Sequence, residues 1–327
     1  MKAVLCREFG PPAALALGEM PVPVPAKGEV LIRVAAAAVN FPDTLIIQGR
    51  YQAKPAFPFA PGGEVAGTIA ALGEGVDGPT PGTRVLAMCG HGGFAEFACA
   101  PIENVVALPD GIDAVTASAL SYAYGTVLHA LRDRADLQPG ETVLVLGAGG
   151  GAGMAAVQVA RLMGARVIAA ASPSKHPACL AAGAAAVVDY TAESWREQLK
   201  PLAPAGVDVV FDAVGGRYAE PALRSVAWGG RYLVVGFAAG EIPRIPLNLA
   251  LLKGCGILGV LYGTHVKREP AANRVLMAQL FDWIEGGALK PAIAHVWPLA
   301  RAAEALDLLL ARQVTGKIVL TTAGATP

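Results

Sequence analysis

The stretch TVLVLGAGGGAGMAAVQVARLMGARVIAAA, residues 142–171, decides the fold of this 327-residue chain. It begins with an apolar strand, turns through the glycines of 147–153, continues as a helix closed by Gly164, and ends in a second apolar strand. Apolar strands joined by a helix are typical of a parallel sheet covered on both faces. The stretch therefore predicts one βαβ unit.

The same pattern continues toward the C-terminus. Further apolar runs are AAVVDY at 185–190, VDVVF at 207–211, RYLVVGF at 231–237 and GILGVLYG at 256–263. With helical segments between them, these runs predict an α/β fold with a Rossmann-type, doubly wound parallel sheet over residues 123–263.

Short strand and turn signals fill the first third of the chain. The strand signals are VLIRV at 30–34, EVAGTI at 64–69, TRVLAM at 83–88 and FAEFA at 94–98. After the sheet come amphipathic helices at 274–284 and 299–310 and a strand, KIVLTT, at 317–322. We predict that residues 1–122 and 264–327 form one mostly β domain.

Charge and composition disfavour several classes of protein. Lys and Arg number 26 against 26 Asp and Glu, so no net charge attracts nucleic acid. The chain is 54% hydrophobic, yet charged residues interrupt its apolar stretches, and Arg7 and Glu8 break the N-terminal segment before an apolar core forms. Five cysteines without a C-x-x-C motif favour a reducing compartment. We expect a cytoplasmic protein without a membrane or nucleic-acid partner.

The glycine-rich turn predicts a dinucleotide site. Glycines let phosphate oxygens approach backbone amides, and the N-terminus of the following helix favours an anion. Two registers fit, G-x-G-x-x-A at Gly147, Gly149 and Ala152, and G-x-x-G-x-x-G at Gly147, Gly150 and Gly153. Glycine clusters also form ordinary turns, but the flanking strand and helix favour cofactor binding.

The end of the second strand indicates which nucleotide binds. NAD-binding chains place an acidic residue there, about 20 residues beyond the first glycine. Here residues 169–175 read AAASPSK, with no carboxylate to repel a 2′-phosphate. Ser172 and Ser174 can donate hydrogen bonds, Lys175 is positively charged, and Tyr190 ends the third strand. We therefore predict NADPH. The alternative is that Ser172 caps the next helix and Lys175 is solvated.

Several motifs recur in a characteristic order along the whole chain. They are AVNFPD at 38–43, IIQGRYQ at 46–52, PGGEVAG at 61–67, YGT at 124–126, the glycine turn, DAVGG at 212–216, VVGFAAGEIPRIPLNL at 234–249 and TGKIVL at 315–320. In these motifs the chain resembles the medium-chain dehydrogenases and reductases, and among them the zinc-independent quinone oxidoreductases that include the zeta-crystallins. The resemblance implies a GroES-like catalytic domain and a homodimer.

By the same resemblance, zinc-using relatives carry a cysteine where Asn40 stands and a histidine where Gly63 stands. Asn and Gly cannot supply the N and S donors that tetrahedral zinc requires, so we predict no metal site. An alternative ligand set is Cys89, His91, Cys99 and Glu64. Cysteines on apolar strands more often pack in the core.

The resemblance places Asn40, Asp43 and Tyr51 at the substrate end of the site. Hydrogen bonds from Asn40 and Tyr51 would polarise a carbonyl, Tyr51 or solvent would relay a proton, and Asp43 would orient its neighbours. The alternative is that Asn40 and Asp43 stabilise their own turn around Pro42 and that Tyr51 is a packed aromatic.

The resemblance also implies contacts to the cofactor. Thr126 and Phe237 would contact the nicotinamide, the amides of Gly151 and Ala152 the diphosphate, and Lys317 the region near the phosphates. The alternatives are that Phe237 fills core at a strand end and that Lys317 is a solvated strand residue.

Three functions are compatible with these residues. The first is an NADPH-dependent, metal-free quinone oxidoreductase, since hydride transfer to an electrophilic quinone requires little of the side chains. The second is reduction of an activated double bond in an enal, an enone or an enoyl thioester such as a short acyl-CoA. The third is a non-catalytic, cofactor-binding structural or regulatory protein. The apolar strand predicted at 256–263 also favours a homodimer, because exposed edge strands tend to pair.

Overall fold

The computed structural model describes residues 1–322, and the chain forms two compact units. The first unit consists of Met1–Tyr122 and the chain from Gly263 onward, and the second of Ala123–Tyr262. The second boundary between the units thus falls between residues 262 and 263, one residue before the boundary predicted from the sequence.

Strands and helices alternate along the described chain. The strands are β1 (Lys2–Leu5), β2 (Ala16–Glu19), β3 (Glu29–Val39), β4 (Glu64–Leu72), β5 (Arg84–Met88), β6 (Phe97–Pro101), β7 (Val105–Ala107), β8 (Thr142–Leu146), β9 (Arg166–Ala171), β10 (Ala186–Asp189), β11 (Val207–Asp212), β12 (Val226–Val234), β13 (Gly256–Gly259), β14 (Ile293–Pro298) and β15 (Lys317–Thr321). The α-helices are α1 (Phe41–Ile46), α2 (Ala114–Ser118), α3 (Thr126–Leu128), α4 (Gly151–Leu162), α5 (His176–Ala181), α6 (Trp195–Leu199), α7 (Ala219–Leu223), α8 (Asn248–Lys253), α9 (Tyr262–Arg268), α10 (Pro270–Glu285) and α11 (Ala302–Leu310). Two π-helical segments, 120–125 and 129–134, flank α3.

A seven-stranded sheet forms the first unit, with β14-β15-β3-β4-β5-β7 as neighbours and β6 also paired to β3. Its pairs are antiparallel except β14 with β15. The predicted strand at 94–98 is displaced, because Ala95 bridges to Ala3 and the Phe94 carbonyl accepts a hydrogen bond from the Val4 N–H. Strand β6 therefore begins at Phe97.

The second unit contains a six-stranded parallel sheet in the order β10-β9-β8-β11-β12-β13. This is the doubly wound order 3-2-1-4-5-6, and it confirms the predicted fold class. The strand order reverses between β8 and β11. Ligands of such sheets bind outside the carboxyl ends of the strands at this point, which is where the glycine-rich turn follows β8.

The last strand of the parallel sheet is shorter than predicted. Strand β13 ends at Gly259, which pairs with Val234, the last residue of β12. Within residues 1–322 no strand pairs with the chain beyond that register, Leu261 is 63% exposed, and helix α9 begins at Tyr262. The prediction of a strand over 256–263 was therefore wrong in its second half.

Among residues 1–322, no helix combines the length and the apolar character that crossing a membrane requires.

Candidate active site

The glycine-rich turn connects β8 to α4 at the carboxyl edge of the parallel sheet. Gly147 has a φ of +67°, a conformation that residues with a Cβ rarely adopt. A Cβ on Gly153 would overlap the carbonyl oxygen of Gly147 and the backbone of Ala148. These two glycines therefore allow the helix to start directly against the turn.

The first turn of α4 presents backbone N–H groups without acceptors. Gly150 is its N-cap residue and has no side chain, and the first N–H that bonds back is that of Met154, at 2.8 Å from the Gly150 oxygen. Within residues 1–322 the N–H groups of Gly151, Ala152 and Gly153 have no acceptor. Such groups at a helix N-terminus bind phosphate. The turn therefore fits the diphosphate of a dinucleotide.

Three of the predicted residues for the adenosine end follow β9 and β10. The side chain of Lys175 lies against Gly149 and is half-buried, so it is not a fully solvated lysine. Ser172 makes no capping hydrogen bond with its side chain, contrary to the alternative that it caps the next helix. Tyr190 stacks on Tyr218, with ring centroids 4.8 Å apart. Contact of these residues with a 2′-phosphate stays a prediction.

A buried carboxylate organises the loop after β11. Asp212 accepts hydrogen bonds from the N–H groups of Val214 (2.7 Å) and Gly215 (2.8 Å) and from the Tyr232 hydroxyl. Burial raises the pKa of Asp212, against the effect of these donors. The ring of half-buried Phe237 lies beside Gly215, where an added Cβ would be 2.8 Å from its Cδ1. Asp212 thus shapes the loop next to Phe237.

Thr126 is half-buried at the first position of α3, and Phe237 follows the end of β12. The nicotinamide contacts expected of these two residues stay predictions.

Four polar side chains are buried together in the first unit. Asn40 follows β3, Asp43 lies in α1, and Glu64 and Lys317 begin β4 and β15. Their exposure is 8%, 2%, 0% and 4%, respectively. Buried polar groups persist when they satisfy one another, and these four do so.

The Asn40 amide is held from two sides. Its Oδ1 accepts a hydrogen bond from the Lys317 ammonium, and its Nδ2 donates to the Ala38 oxygen (3.2 Å) and to Glu64 Oε2 (3.0 Å). Both N–H bonds of the amide are therefore used inside the protein. The hydrogen bond predicted from Asn40 to a substrate carbonyl has no donor in this arrangement, so we reassign Asn40 as a positioning residue.

Lys317 is buried, so it is not a solvated strand residue, and its ammonium contacts protein oxygens. Its ammonium donates to Asn40, lies 3.4 Å from the Val39 oxygen and is 3.7 Å from Glu64 Oε2. Burial lowers the pKa of Lys317, while Glu64 and Asp43 act in the opposite direction. This placement argues against the predicted phosphate contact, because the ammonium is already surrounded by protein oxygens.

Asp43 joins the network to the neighbouring backbone. Its Oδ2 accepts from the Asn40 N–H (2.7 Å) and its Oδ1 from the Gly63 N–H (3.1 Å). Burial raises the pKa of Asp43 to about 7, although these two donors and Lys317 lower it. Burial likewise raises the pKa of Glu64. The network therefore contains two carboxyl groups, Asp43 and Glu64, and burial disfavours the charged form of each. The Lys317 ammonium acts against this effect of burial.

The residues at the expected zinc position do not fit zinc. Gly63 offers no ligand atom, and a Cβ there would be 2.5 Å from the Tyr122 hydroxyl and 3.2 Å from the Gly90 oxygen. The Asn40 amide is bonded to Lys317 and Glu64. Positions 40 and 63 therefore supply neither the nitrogen nor the sulfur ligands that zinc prefers, and the Tyr122 hydroxyl occupies the space beside Gly63.

The alternative cysteine and histidine ligands are also separated. In the part of the chain that the structure describes, Cys89, His91 and Cys99 do not bring ligand atoms within 4.8 Å of one another. Burial raises the pKa of Cys89 to about 12 and that of Cys99 to about 11, so both thiols stay protonated. The separation of the ligand atoms argues against a shared metal site at these residues.

Two tyrosines adjoin the network. Tyr51, predicted from the sequence, is half-buried against the core, and burial and the Asp43 charge raise its pKa. Tyr122 was missed, as was the direct bond of Glu64 to Asn40. Glu64 could have been found, because it follows Gly63 in the recognised motif. No local signal identifies Tyr122, since only the folded chain brings it to Gly63.

Comparison with known proteins gives matches over nearly the whole chain. Residues 26–110 match the alcohol dehydrogenase GroES-like domain, and residues 182–320 match the zinc-binding dehydrogenase family. The quinone oxidoreductase-like protein 2 homolog of Nematostella vectensis is 37% identical over 325 residues, which cover 98% of this chain and 89% of that protein. Escherichia coli quinone oxidoreductase complexed with NADPH has a TM-score of 0.91 at 27% identity, covering 98% of this chain and 100% of its own. A mycobacterial protein complexed with NADPH has a TM-score of 0.91 at 31% identity, covering 98% and 99%.

Proposed function

Because this chain belongs to the medium-chain dehydrogenase/reductase family, we propose that it is an NADPH-dependent, metal-free quinone oxidoreductase. Two observations carry the proposal: the glycine-rich turn of one unit has N–H groups suited to a dinucleotide, and in the other unit the position next to the buried polar network is Gly63, which has no side-chain ligand. Relatives named quinone oxidoreductase and neighbours complexed with NADPH support it.

Bound NADPH would supply a hydride to the acceptor. The N–H groups of Gly151 and Ala152 would hold its diphosphate, and Lys175 with Ser172 would face the 2′-phosphate. A quinone is electrophilic without a Lewis acid, so the first unit needs to offer only hydrogen bonds to the carbonyl oxygens. This matches a site that holds buried polar side chains and has Asn at position 40 and Gly at position 63.

The cofactor choice is tested by titrating the protein with NADPH and with NADH and measuring binding by the change in fluorescence. We expect NADPH to bind at least about 10-fold more tightly, and Lys175→Ala to abolish most of this difference, since a charge-assisted bond to phosphate contributes about 1.5–3 kcal/mol. Lys200→Ala, which removes an exposed lysine paired with Glu197, is the matched control. Equal affinity for both nucleotides in the unmutated protein would contradict the proposal.

The acceptor class is tested by steady-state turnover with small quinones, enals, enones and short enoyl-CoA esters. We expect the quinones to have the highest kcat/KM. A higher value with enones or enoyl-CoA would favour the double-bond reductase. Tight nucleotide binding without turnover of any acceptor would favour the non-catalytic role.

The edge strand β13 supports a further proposal, that two copies pair. In the described chain β13 has a sheet partner on one side only, and Ile257 is 38% exposed. We expect sedimentation to show a dimer at micromolar concentration, and a monomer would contradict it.

The five free cysteines are consistent with action in the cytoplasm, where thiols stay reduced.

A further inference from the structure

The Tyr122 side chain occupies the space that a side chain at position 63 would need. A Cβ on Gly63 would lie 2.5 Å from the Tyr122 hydroxyl oxygen and 3.0 Å from its Cζ. The backbone of Tyr122 is fixed at the same place, because its N–H donates to Glu64 Oε1 at 3.0 Å. Gly63 and Tyr122 are therefore a complementary pair, in which the absence of one side chain admits the other.

Within residues 1–322 the Tyr122 hydroxyl, like that of Tyr51, is a polar group beside the network without an internal hydrogen-bond partner, and of the two it is the Tyr122 hydroxyl that lies in the space beside Gly63. It is not among the fully buried side-chain atoms of these residues that lack such a partner. The neighbouring groups are already used, since Asn40 donates to Ala38 and Glu64, and Asp43 accepts two backbone N–H groups. An O–H without an internal acceptor beside a satisfied network is suited to an external acceptor.

We propose that the Tyr122 hydroxyl is a catalytic residue that donates a hydrogen bond to the carbonyl oxygen of the substrate. The inference rests on the proposed function and names the group that takes the place of the metal. When hydride adds to the acceptor, the electron pair of the broken π-bond moves to this oxygen. A donor placed there stabilises the developing negative charge.

Tyr122 acts as a hydrogen-bond donor and keeps its proton. Burial raises its pKa well above the usual range, and the nearby Asp43, Cys89, Tyr51 and Glu64 act in the same direction. A phenol that resists ionisation does not transfer its proton to a hydroquinone anion of ordinary acidity. The single proton that completes the reduction then comes from water, so atoms and charge balance as acceptor plus hydride plus one proton.

Tyr122→Phe tests this role because it removes the hydroxyl and keeps the ring. We expect kcat/KM for a quinone to fall roughly 100-fold, within the range found for loss of one donor to a developing oxyanion. The affinity for NADPH and the free energy of unfolding should stay unchanged, since the hydroxyl bonds to no group of the described residues 1–322. Tyr51→Phe is the rival variant, and we expect the smaller loss from it.

A spectroscopic measurement provides a second, independent readout on the unmutated protein. The infrared band of an isotope-labelled carbonyl in a bound acceptor should lie at lower frequency than in an aprotic solvent, and it should move back in Tyr122→Phe. A merely structural role for Tyr122 would not shift this band.

The outcomes separate the two proposals. If the unmutated protein reduces no quinone or activated alkene, the proposed function fails. If it is active and Tyr122→Phe stays within twofold, or Tyr51→Phe causes the larger loss, this inference is overturned while the function stands. If Tyr122→Phe does not fold, an unshifted carbonyl band in the unmutated protein overturns it.

Discussion

The Lys317 ammonium lies 3.7 Å from the Glu64 carboxylate, and the two side chains are 4% and 0% exposed. Strand pairing makes this possible, because β3 lies between β4 and β15. Asn40, which follows β3, therefore lies between the Glu64 carboxylate and the Lys317 ammonium. A charged pair at such depth is stable only when each partner compensates the other.

Replacement of Lys317 by Met should therefore destabilise the fold. It leaves the Glu64 charge and the Asn40 amide oxygen without their cation, and breaking a buried pair costs about 3–5 kcal/mol. Urea denaturation measures this loss. Lys27→Met removes an exposed lysine and should change the free energy of unfolding by less than about 0.5 kcal/mol. If Lys317→Met kept its stability but bound NADPH more weakly, the phosphate contact predicted from the sequence would be correct instead.

Asp43 should make the stability depend on pH. Its pKa is raised to about 7 in the folded protein, whereas an unfolded aspartate has a pKa near 3.9. Between these values the folded state holds a proton that the unfolded chain has released. The free energy of unfolding should therefore fall as the pH rises from about 4 to 7, by at most about 1.4 kcal/mol per pH unit from this carboxyl.

Denaturation of Asp43→Asn at pH 5, 6 and 7 checks this. The variant loses one acceptor and should be less stable throughout, but its dependence on pH should be flatter than that of the unmutated protein. Glu64, whose pKa is also raised, should preserve part of the slope. Asp110→Asn, at an exposed position, should keep the full slope. Parallel curves for Asp43→Asn and the unmutated protein would show that Asp43 does not titrate in this range.

Two glycines of the nucleotide turn should respond differently to alanine. At Gly153 the new Cβ would meet the backbone of Gly147 and Ala148, which cannot move without opening the turn. At Gly149 it would meet the side chain of Lys175, whose Cδ and Cγ can move away but whose Cβ, at 2.8 Å, requires a shift of the Lys175 backbone. We expect Gly153→Ala to lose about 1–3 kcal/mol of stability and to weaken NADPH binding more than 10-fold.

Gly149→Ala should lose less stability than Gly153→Ala and weaken NADPH binding more than NADH binding, because it displaces Lys175 rather than the backbone of Gly147 and Ala148. Calorimetric titration of both nucleotides with both variants distinguishes the two effects. Equal losses for NADPH and NADH in Gly149→Ala would mean that Lys175 does not face the 2′-phosphate.

The architecture was predictable because its signals are local. The continuous apolar runs of β8 and β9 and the glycines between them are contiguous in sequence, and the second apolar strand predicted between Gly164 and residue 171 is β9, Arg166–Ala171. The errors arose where pairing across the fold decides the outcome. Residues 94–95 pair with β1, and β13 ends where β12 ends.

The candidate site was less predictable, because its interactions span long sequence separations. Lys317 and Asn40 are 277 positions apart, and Tyr122 and Glu64 are 58 apart. Motif positions named Asn40 and Asp43 but could not show that the Asn40 amide is fully bonded. Whether a polar residue is free to bind substrate depends on its partners, and single-sequence patterns do not report them.

Removal of metal ions tests whether the proposed quinone reduction proceeds without a metal. Position 63 has no ligand atom, and the Tyr122 hydroxyl fills the adjoining space. We expect dialysis against a strong chelator to leave quinone reduction unchanged, and elemental analysis to find no stoichiometric zinc in active protein. Gly63→His should not create a zinc site, because its Cβ would collide with Tyr122, and it should lower the free energy of unfolding by about 1–3 kcal/mol or more. Zinc at one equivalent that is lost together with activity would show that the protein uses a metal after all.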